Sequence, residues 1–367
     1  MTDSLAVILG TRPEIIKLAP VIHACVERDI PNCTIIHTGQ HYSDALDSVF
    51  FDQLELPDPE YHLEVGSGPH GEQTGKMIVK VEEVLCEERP ETVLVQGDTN
   101  SALAGTIAAS KLDVDLGHVE AGLRSFDREM PEEINRVLAD HAADLLFAPS
   151  EQSKENLVAE GISTEQISVT GNTIVDALYQ YRTLAADKSS ILQELGLQNQ
   201  EFFLMTAHRT ENVDDETRLR SLLDGVNEAA ADHSVPIVYP IHPHTRKRLT
   251  EFGIDTPERI RLVEPLDYLD FLRVENEAKL VLTDSGGVQE EACILGVPCV
   301  TIRDSTERPE TVAVGANEIV DPVAGNIAES VDRMVHKSGQ WENPFGDGDA
   351  SRQILQTIVT RQKQERQ

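Results

Sequence analysis

Eleven short apolar runs, rich in β-branched residues, recur along this chain, with stretches of helix length between them. The first half holds LAVIL (5–9), CTIIH (33–37), TVLVQ (92–96), LGHVE (116–120), LLFAP (145–149) and ISVTG (167–171). The second half holds FFLMTAH (202–208), PIVYPIH (236–242), IRLVEP (260–265), KLVLTD (279–284) and PCVTIR (298–303). Strands without polar alternation are buried on both faces, so this pattern builds parallel sheets covered by helices on both sides. A polar segment near residues 180–200 splits the runs into two series. At 367 residues the chain is also too long for one ordinary domain. The expectation is α/β: two doubly wound domains, residues 1–173 and 174–349. The helix-like tail after Gly348, residues 350–367, returns to the first of them.

Charge narrows the partners. Sixty-four acids against 31 bases leave a net charge of −33, and only ten of the bases are lysine. Such a surface repels nucleic acid and anionic membranes, and it suits a salty cytoplasm in which ions screen the self-repulsion. No run approaches the ~20 apolar residues of a spanning helix. The start, MTDSLAVILGTRPE, lacks the basic region and cleavage site of a signal peptide, so a cytoplasmic protein is expected. The five cysteines are scattered without a CxxC pair, and four of them lie in apolar or helix-like surroundings. Reduced packing residues are expected rather than a redox or metal site.

Polar residues gather where the runs end: Gly10-Thr11-Arg12, Gly97-Asp98, Glu120, His208-Arg209, His242 and Asp284-Ser285-Gly286-Gly287. Open α/β sheets bind ligands at the carboxyl ends of their strands, so these ends predict one cleft between the two domains. In the stretch 283–310, Asp284 or Ser285 can cap a helix, and the glycines permit a left-handed turn or the close approach of a ligand. A helix start of this kind favours an anion such as phosphate, and Arg308 can add a forked donor. GTRPEIIKLAP (10–20) repeats the design, with Arg12 and Lys17 near a helix start. The alternative there is a surface pairing with Glu14. GSGPHG (66–71) spells a dinucleotide fingerprint, but only YHLEV precedes it and Pro69 removes a backbone donor. A flexible loop is expected there, and no bound nicotinamide.

Asp98 and Glu120 directly follow apolar strands, and Glu132 opens a helix in MPEEINR. Three such acids can do proton-transfer work if burial or mutual repulsion separates their proton affinities. His208 and His242 each terminate an apolar run. Without HExxH or a Cys/His cluster they do not suggest zinc, and contact with phosphate competes with a purely structural hydrogen bond.

The whole series is GTRPEIIKLAP, HTGQHY, VQGDTNSALAG, GHVEAGLRSFDREMPEEINR, TGNTIVDAL, TAHRTEN, VYPIHP, LTDSGGVQEEACILGVPCV, RDSTERPE and NPFGDGDAS. In order and spacing it resembles the non-hydrolysing UDP-N-acetylglucosamine 2-epimerases, from Gly10 to about Ser351. The resemblance implies two Rossmann-like domains of the GT-B type, a homodimer and no cofactor. It also implies interconversion of UDP-GlcNAc and UDP-ManNAc through elimination of UDP to 2-acetamidoglucal and re-addition. By the same likeness Ser285, Gly286 and Gly287 hold the diphosphate, Glu291 the ribose, Arg308 the nucleotide side and Phe271 the uracil. Arg12 and His208 face the diphosphate, Lys17 sits with Arg12, and His242 joins the substrate-binding set. Asp98, Glu120 and Glu132 fall on the catalytic acids. Asp98 and Glu132 are the expected proton carriers, and Glu120 serves sugar binding or relay.

Two departures stand out. Gln40 and His41 match a pair that helps build an allosteric UDP-GlcNAc pocket in many bacterial members, but Ser43 replaces the third residue, a glutamine. Strict activation by UDP-GlcNAc is therefore not expected. Leu266 also stands where bacterial members often carry glutamine. Competing readings are a hydrolysing epimerase, a GT-B glycosyltransferase and a nucleotide-sugar sensor without turnover.

Overall fold

Parallel pairing organises the computed structural model, which describes residues 4–27, 33–40, 44–198 and 201–365. The chain divides into two compact units, residues 1–179 with 345–367 and residues 180–344. The first unit contains β1 (Leu5–Leu9), β2 (Cys33–His37), β3 (Tyr61–His62), β4 (Thr92–Gln96), β5 (Asp115–Val119), β6 (Leu145–Ala148) and β7 (Ile167–Val169). Their order is β3-β2-β1-β4-β5-β6-β7. The second unit contains β8 (Phe203–Thr206), β9 (Ile237–Pro240), β10 (Ile260–Val263), β11 (Leu280–Thr283), β12 (Cys299–Ile302) and β13 (Asn317–Val320), in the order β10-β9-β8-β11-β12-β13. Both are the doubly wound order, in which the strand sequence reverses between the first and fourth strands.

The reversal follows from the chain's local grammar. Each buried strand feeds a helix, and right-handed crossovers place successive strands on one side until the chain restarts beside the first. Leu5 of β1 pairs with Cys33 on one flank and Thr92 on the other. In the second unit Phe203 of β8 pairs with Ile237 and Leu280. The five residues of β1 and of β4 are all buried, which explains why those runs carry no polar alternation. Ile8, Val93, Val95 and Leu146 share one apolar cluster with Ala102 and Ala108 of the helix Asn100–Ala109. The second unit packs Phe203, Met205, Tyr239 and Val300 on one sheet face and Phe202, Leu204, Val238 and Cys299 in a separate cluster.

The last helix, Ala350–Glu365, belongs to the first unit. Its first turn is held by buried Asp176, whose Oδ1 accepts from Ser351 N at 2.9 Å and Ser351 Oγ at 2.6 Å. Near its end Gln362 Nε2 donates to Thr92 Oγ1 at 2.9 Å. The expected packing role suits Cys25, Cys293 and Cys299, which are buried, but Cys86 is exposed. It lies on the outer face of the helix His70–Glu88. Among the described residues no helix is long and apolar enough to cross a membrane.

Candidate active site

Each reversal point brings loop residues together at the carboxyl ends of two adjacent strands. In the first unit these are β1, followed by Gly10-Thr11-Arg12, and β4, followed by Gly97-Asp98. The helix Arg12–Glu27 starts at Arg12, with Pro13 second. Arg12 is exposed, and its guanidinium carbon lies 5.0 Å from the centroid of the Phe50 ring. Glu14 is not the surface partner weighed above. It is fully buried, and its carboxylate accepts from Gly10 N at 3.0 Å, Thr11 Oγ1 at 2.8 Å and Thr99 Oγ1 at 2.6 Å. Burial pushes its carboxyl up to about 7, and these hydrogen bonds limit the rise. Glu14 thereby ties the loop after β1 to the loop after β4.

Lys17, one turn on, reaches past that loop to Glu120. Its Nζ lies 2.7 and 2.8 Å from the two carboxylate oxygens. Glu120 follows β5 directly, with a φ of 69° that few residues other than glycine adopt. Gln96 Nε2 also donates to it, and Asn172 Nδ2 does so from 3.3 Å. The carboxylate is buried, charge-paired and well supplied with donors.

Asp98 is different. Its side chain is 32% exposed and ion-paired with Arg136, so one carboxyl face is accessible. Asn135 Nδ2 holds its backbone carbonyl at 2.9 Å. Both partners come from the helix Pro131–Ala142, whose second residue is the exposed Glu132. Glu133 beside it is buried and accepts from Ser125 N and Phe126 N at 2.9 and 3.1 Å. Arg136 bridges Asp98 and Glu133, and so fixes Asp98 to the helix that presents Glu132.

In the second unit the reversal lies between β8 and β11. Asp284 does not cap the helix Gly286–Leu295. It is fully buried and turns toward the other strand end, accepting from His208 N at 3.0 Å, Arg209 N at 3.0 Å and Asn212 Nδ2 at 3.2 Å. This grip leaves His208 exposed, with Nδ1 3.3 Å from Asp284 Oδ1. Ser285 occupies the cap position, yet its side chain makes no capping bond. Gly286 and Gly287 are not left-handed, which removes that reason for glycine. A Cβ on either would meet nothing closer than 3.6 Å. What their bareness provides is open backbone at a helix start.

The remaining candidates also belong to the second unit. Arg308 donates from Nε to buried Glu290 Oε2 at 3.0 Å, so a glutamate behind the helix start orients the arginine. His242 caps the helix Pro243–Phe252, its Nδ1 accepting from His244 N at 3.2 Å. Phe271 is half-buried on the helix Tyr268–Glu277 and, with Leu266, packs on the second unit's core. Glu291 lies half-buried on the helix Gly286–Leu295, next to fully buried Glu275. Burial and the charge of Glu291 hold Glu275 well above the ordinary carboxyl range, so it stays protonated and can donate.

GSGPHG contains less loop than expected, because His70 and Gly71 already open the helix His70–Glu88 and only a two-residue strand, β3, precedes it. Gln40 is described, and its Oε1 accepts from Ser101 Oγ at 2.7 Å. His41 and Ser43 lie outside the described residues. Sequence reasoning missed Glu14, Gln96, Arg136, Asn172, Asp284's inward turn and Glu275. The available signals were a glutamate two residues past a helix start and a glutamate inside an apolar helix face.

A family model for UDP-N-acetylglucosamine 2-epimerase matches residues 23–359. The chain belongs to the UDP-N-acetylglucosamine 2-epimerase family. The UDP-N-acetylglucosamine 2-epimerase of Methanocaldococcus jannaschii is 51% identical over 361 residues, covering 97% of this chain and 98% of that protein. The crystal structure of the M. jannaschii enzyme in complex with UDP-GlcNAc and UDP superposes with a TM-score of 0.84, covering 97% and 99% of the two chains at 51% identity. A more distant family member, the UDP-2,3-diacetamido-2,3-dideoxy-D-glucuronate 2-epimerase of Pseudomonas aeruginosa, is 40% identical over 96% of this chain and 98% of its own length. The two Rossmann-like sheets are those of the GT-B class to which these structural neighbours belong.

Proposed function

We propose that the chain interconverts UDP-GlcNAc and UDP-ManNAc by inverting C2, without a cofactor. The observation that carries this reading is the contrast between two acids at adjacent strand ends. Glu120 is buried, ion-paired and fully supplied with donors, whereas Asp98 offers an accessible face. Carbon 2 has no neighbouring carbonyl, so its proton leaves only as another bond breaks. A carboxylate takes that proton, the C1–O bond to UDP breaks with its electron pair, and a C1–C2 double bond remains in 2-acetamidoglucal. Re-addition of UDP at C1, with a proton delivered to the opposite face of C2, gives the epimer.

Asp98 and Glu132 are the proton carriers in this scheme. The pairing of Glu120 with Lys17 favours a fixed role in sugar binding over proton exchange. Arg12 and His208 stabilise the charge that grows on the departing diphosphate. Ser285, Gly286 and Gly287 receive the diphosphate at the bare helix start, and Arg308 lies on the nucleotide side. Glu291 takes the ribose hydroxyls as a carboxylate acceptor, supported by the protonated Glu275, while Phe271 and His242 complete the substrate set. The same reading carries a cytoplasmic homodimer without strict UDP-GlcNAc activation; light scattering tests the dimer, and a lag on pure UDP-ManNAc would refute unregulated turnover.

Proton NMR of UDP-GlcNAc with the protein in salty D2O tests the activity. UDP-ManNAc with deuterium at C2 of both sugars supports it. Accumulation of UDP and free ManNAc instead would indicate a hydrolysing enzyme. Lack of exchange while UDP binds would sink catalysis on this substrate, and UDP-2,3-diacetamido-2,3-dideoxy-D-glucuronate would be offered next.

A further inference from the structure

His118 is the fourth of the five residues of β5, which reads DLGHV, and no role described so far uses it. Its ring is fully buried. Nδ1 lies 2.7 Å from Asp140 Oδ1, and Nε2 lies 2.8 Å from the carbonyl oxygen of Gly97. Both neighbours only accept. A neutral imidazole owns one N–H and would turn a lone pair toward one of these oxygens, whereas the imidazolium donates to both. Asp140 is pinned from its other side by Arg124 Nη1 at 2.7 Å and Gly122 N at 3.1 Å, so its carboxylate stays aimed at the ring.

The Gly97 carbonyl is the last peptide group before Asp98. Gly97 sits at a φ of 69°, and its N–H donates to Val119 O at 3.0 Å. The turn is therefore gripped at both peptide groups, by His118 before Asp98 and by Asn135 after it. We propose that His118 is a positioning residue that acts as a fixed imidazolium, holding the Gly97–Asp98 turn so that the Asp98 carboxylate meets C2 of the sugar. This inference rests on the reading of Asp98 as a proton carrier. Burial works against a charged ring, but Asp140, the Gly97 carbonyl and the charge of Glu120 together raise its proton affinity.

A misplacement on the order of 1 Å at a reacting group costs about 100-fold in rate. In His118→Asn one amide cannot serve both acceptors, so kcat should fall by about 30- to 100-fold while KM for UDP-GlcNAc and UDP affinity stay within about twofold. Asp140→Asn removes the ring's counter-ion, so its kcat should gain a limb that falls as pH rises through neutrality, absent in the wild type. Nitrogen-15 NMR of the imidazoles, assigned by difference against His118→Asn or, if that variant does not fold, Asp140→Asn, should show both ring nitrogens of wild-type His118 protonated from about pH 6 to about pH 9. A neutral wild-type ring, or a folded His118→Asn with kcat within about threefold of wild type, would overturn the proposal. If the wild type exchanges the C2 proton and Asp98→Asn does so equally well, it is the assignment of Asp98 that fails; a wild type without exchange removes the epimerase reading itself.

Discussion

Replacing Lys17 by methionine keeps the packing of its stem and deletes only the ammonium that faces Glu120. The Glu120 side chain is 5% exposed and that of Lys17 17%, so the pair has left most of its water behind. Removing one partner of such a pair strands a buried charge, typically at a cost of about 3–5 kcal/mol. Gln96 and Asn172 still donate to the carboxylate, which places the expected loss near the lower end, about 3 kcal/mol. With a urea slope of about 2 kcal/mol per molar, the unfolding midpoint should drop by about 1.5 M. The double variant Lys17→Met with Glu120→Gln removes both charges and should recover most of this loss, giving a coupling energy of about 2 kcal/mol or more. Urea titrations of the four proteins, followed by far-UV circular dichroism in the same concentrated KCl, measure the cycle. A coupling energy below about 1 kcal/mol, the size expected of an exposed pair, would refute the claim that burial makes this contact matter.

Glu14 predicts a pH effect. Its folded carboxyl sits at about 7 against an ordinary 4.5. The stability it contributes is therefore complete below about pH 4.5 and is lost as pH rises through about 7, an upper bound of about 3 kcal/mol. Glu14→Gln lacks this titration, so its stability relative to wild type should improve between about pH 5 and about pH 8; an offset equal at both values in urea titrations would show the buried acid to be unimportant. Gly122 has a φ of 81°, and an added Cβ would lie 2.3 Å from Ser153 O. Gly122→Ala should lose more than about 3 kcal/mol from backbone strain plus displacement of the helix Glu151–Ala159, and a loss under about 1 kcal/mol in the same assay would contradict the geometry. With a net charge of −33, raising KCl from about 0.1 to about 1 M shortens the screening length from about 10 to about 3 Å. Tm from calorimetry should rise across that range, and a flat or falling Tm would exclude self-repulsion as the reason for salt dependence.

The eleven apolar runs were legible because central strands of parallel sheets are buried on both faces, which leaves a continuous signature. Two strands escaped notice. β3 has two residues, and β13 reads NEIV, with Asn317 and Glu318 in a strand position. Both lie at sheet edges, where one flank is unpaired and polar residues are tolerated. Helix starts at Arg12, Pro131 and Gly286 were equally readable from proline, glycine and the strand ends before them.

The sequence by itself determined the fold class, the number of sheets, the strand ends at which polar residues gather, and the family. Those properties rest on local periodicity and on motifs whose spacing is set along the chain. Only the tertiary structure decided which charge meets which. Glu14 reads as a first-turn surface acid until the loop after β4 closes over it with Thr99, 85 residues away. Lys17 and Glu120 meet across 103 residues, and His118 finds Asp140 from within β5. The order β1-β4-β5 creates these meetings, because it sets side by side strand ends that lie far apart along the chain. A charge buried by that order must find its partner there, since water no longer supplies one.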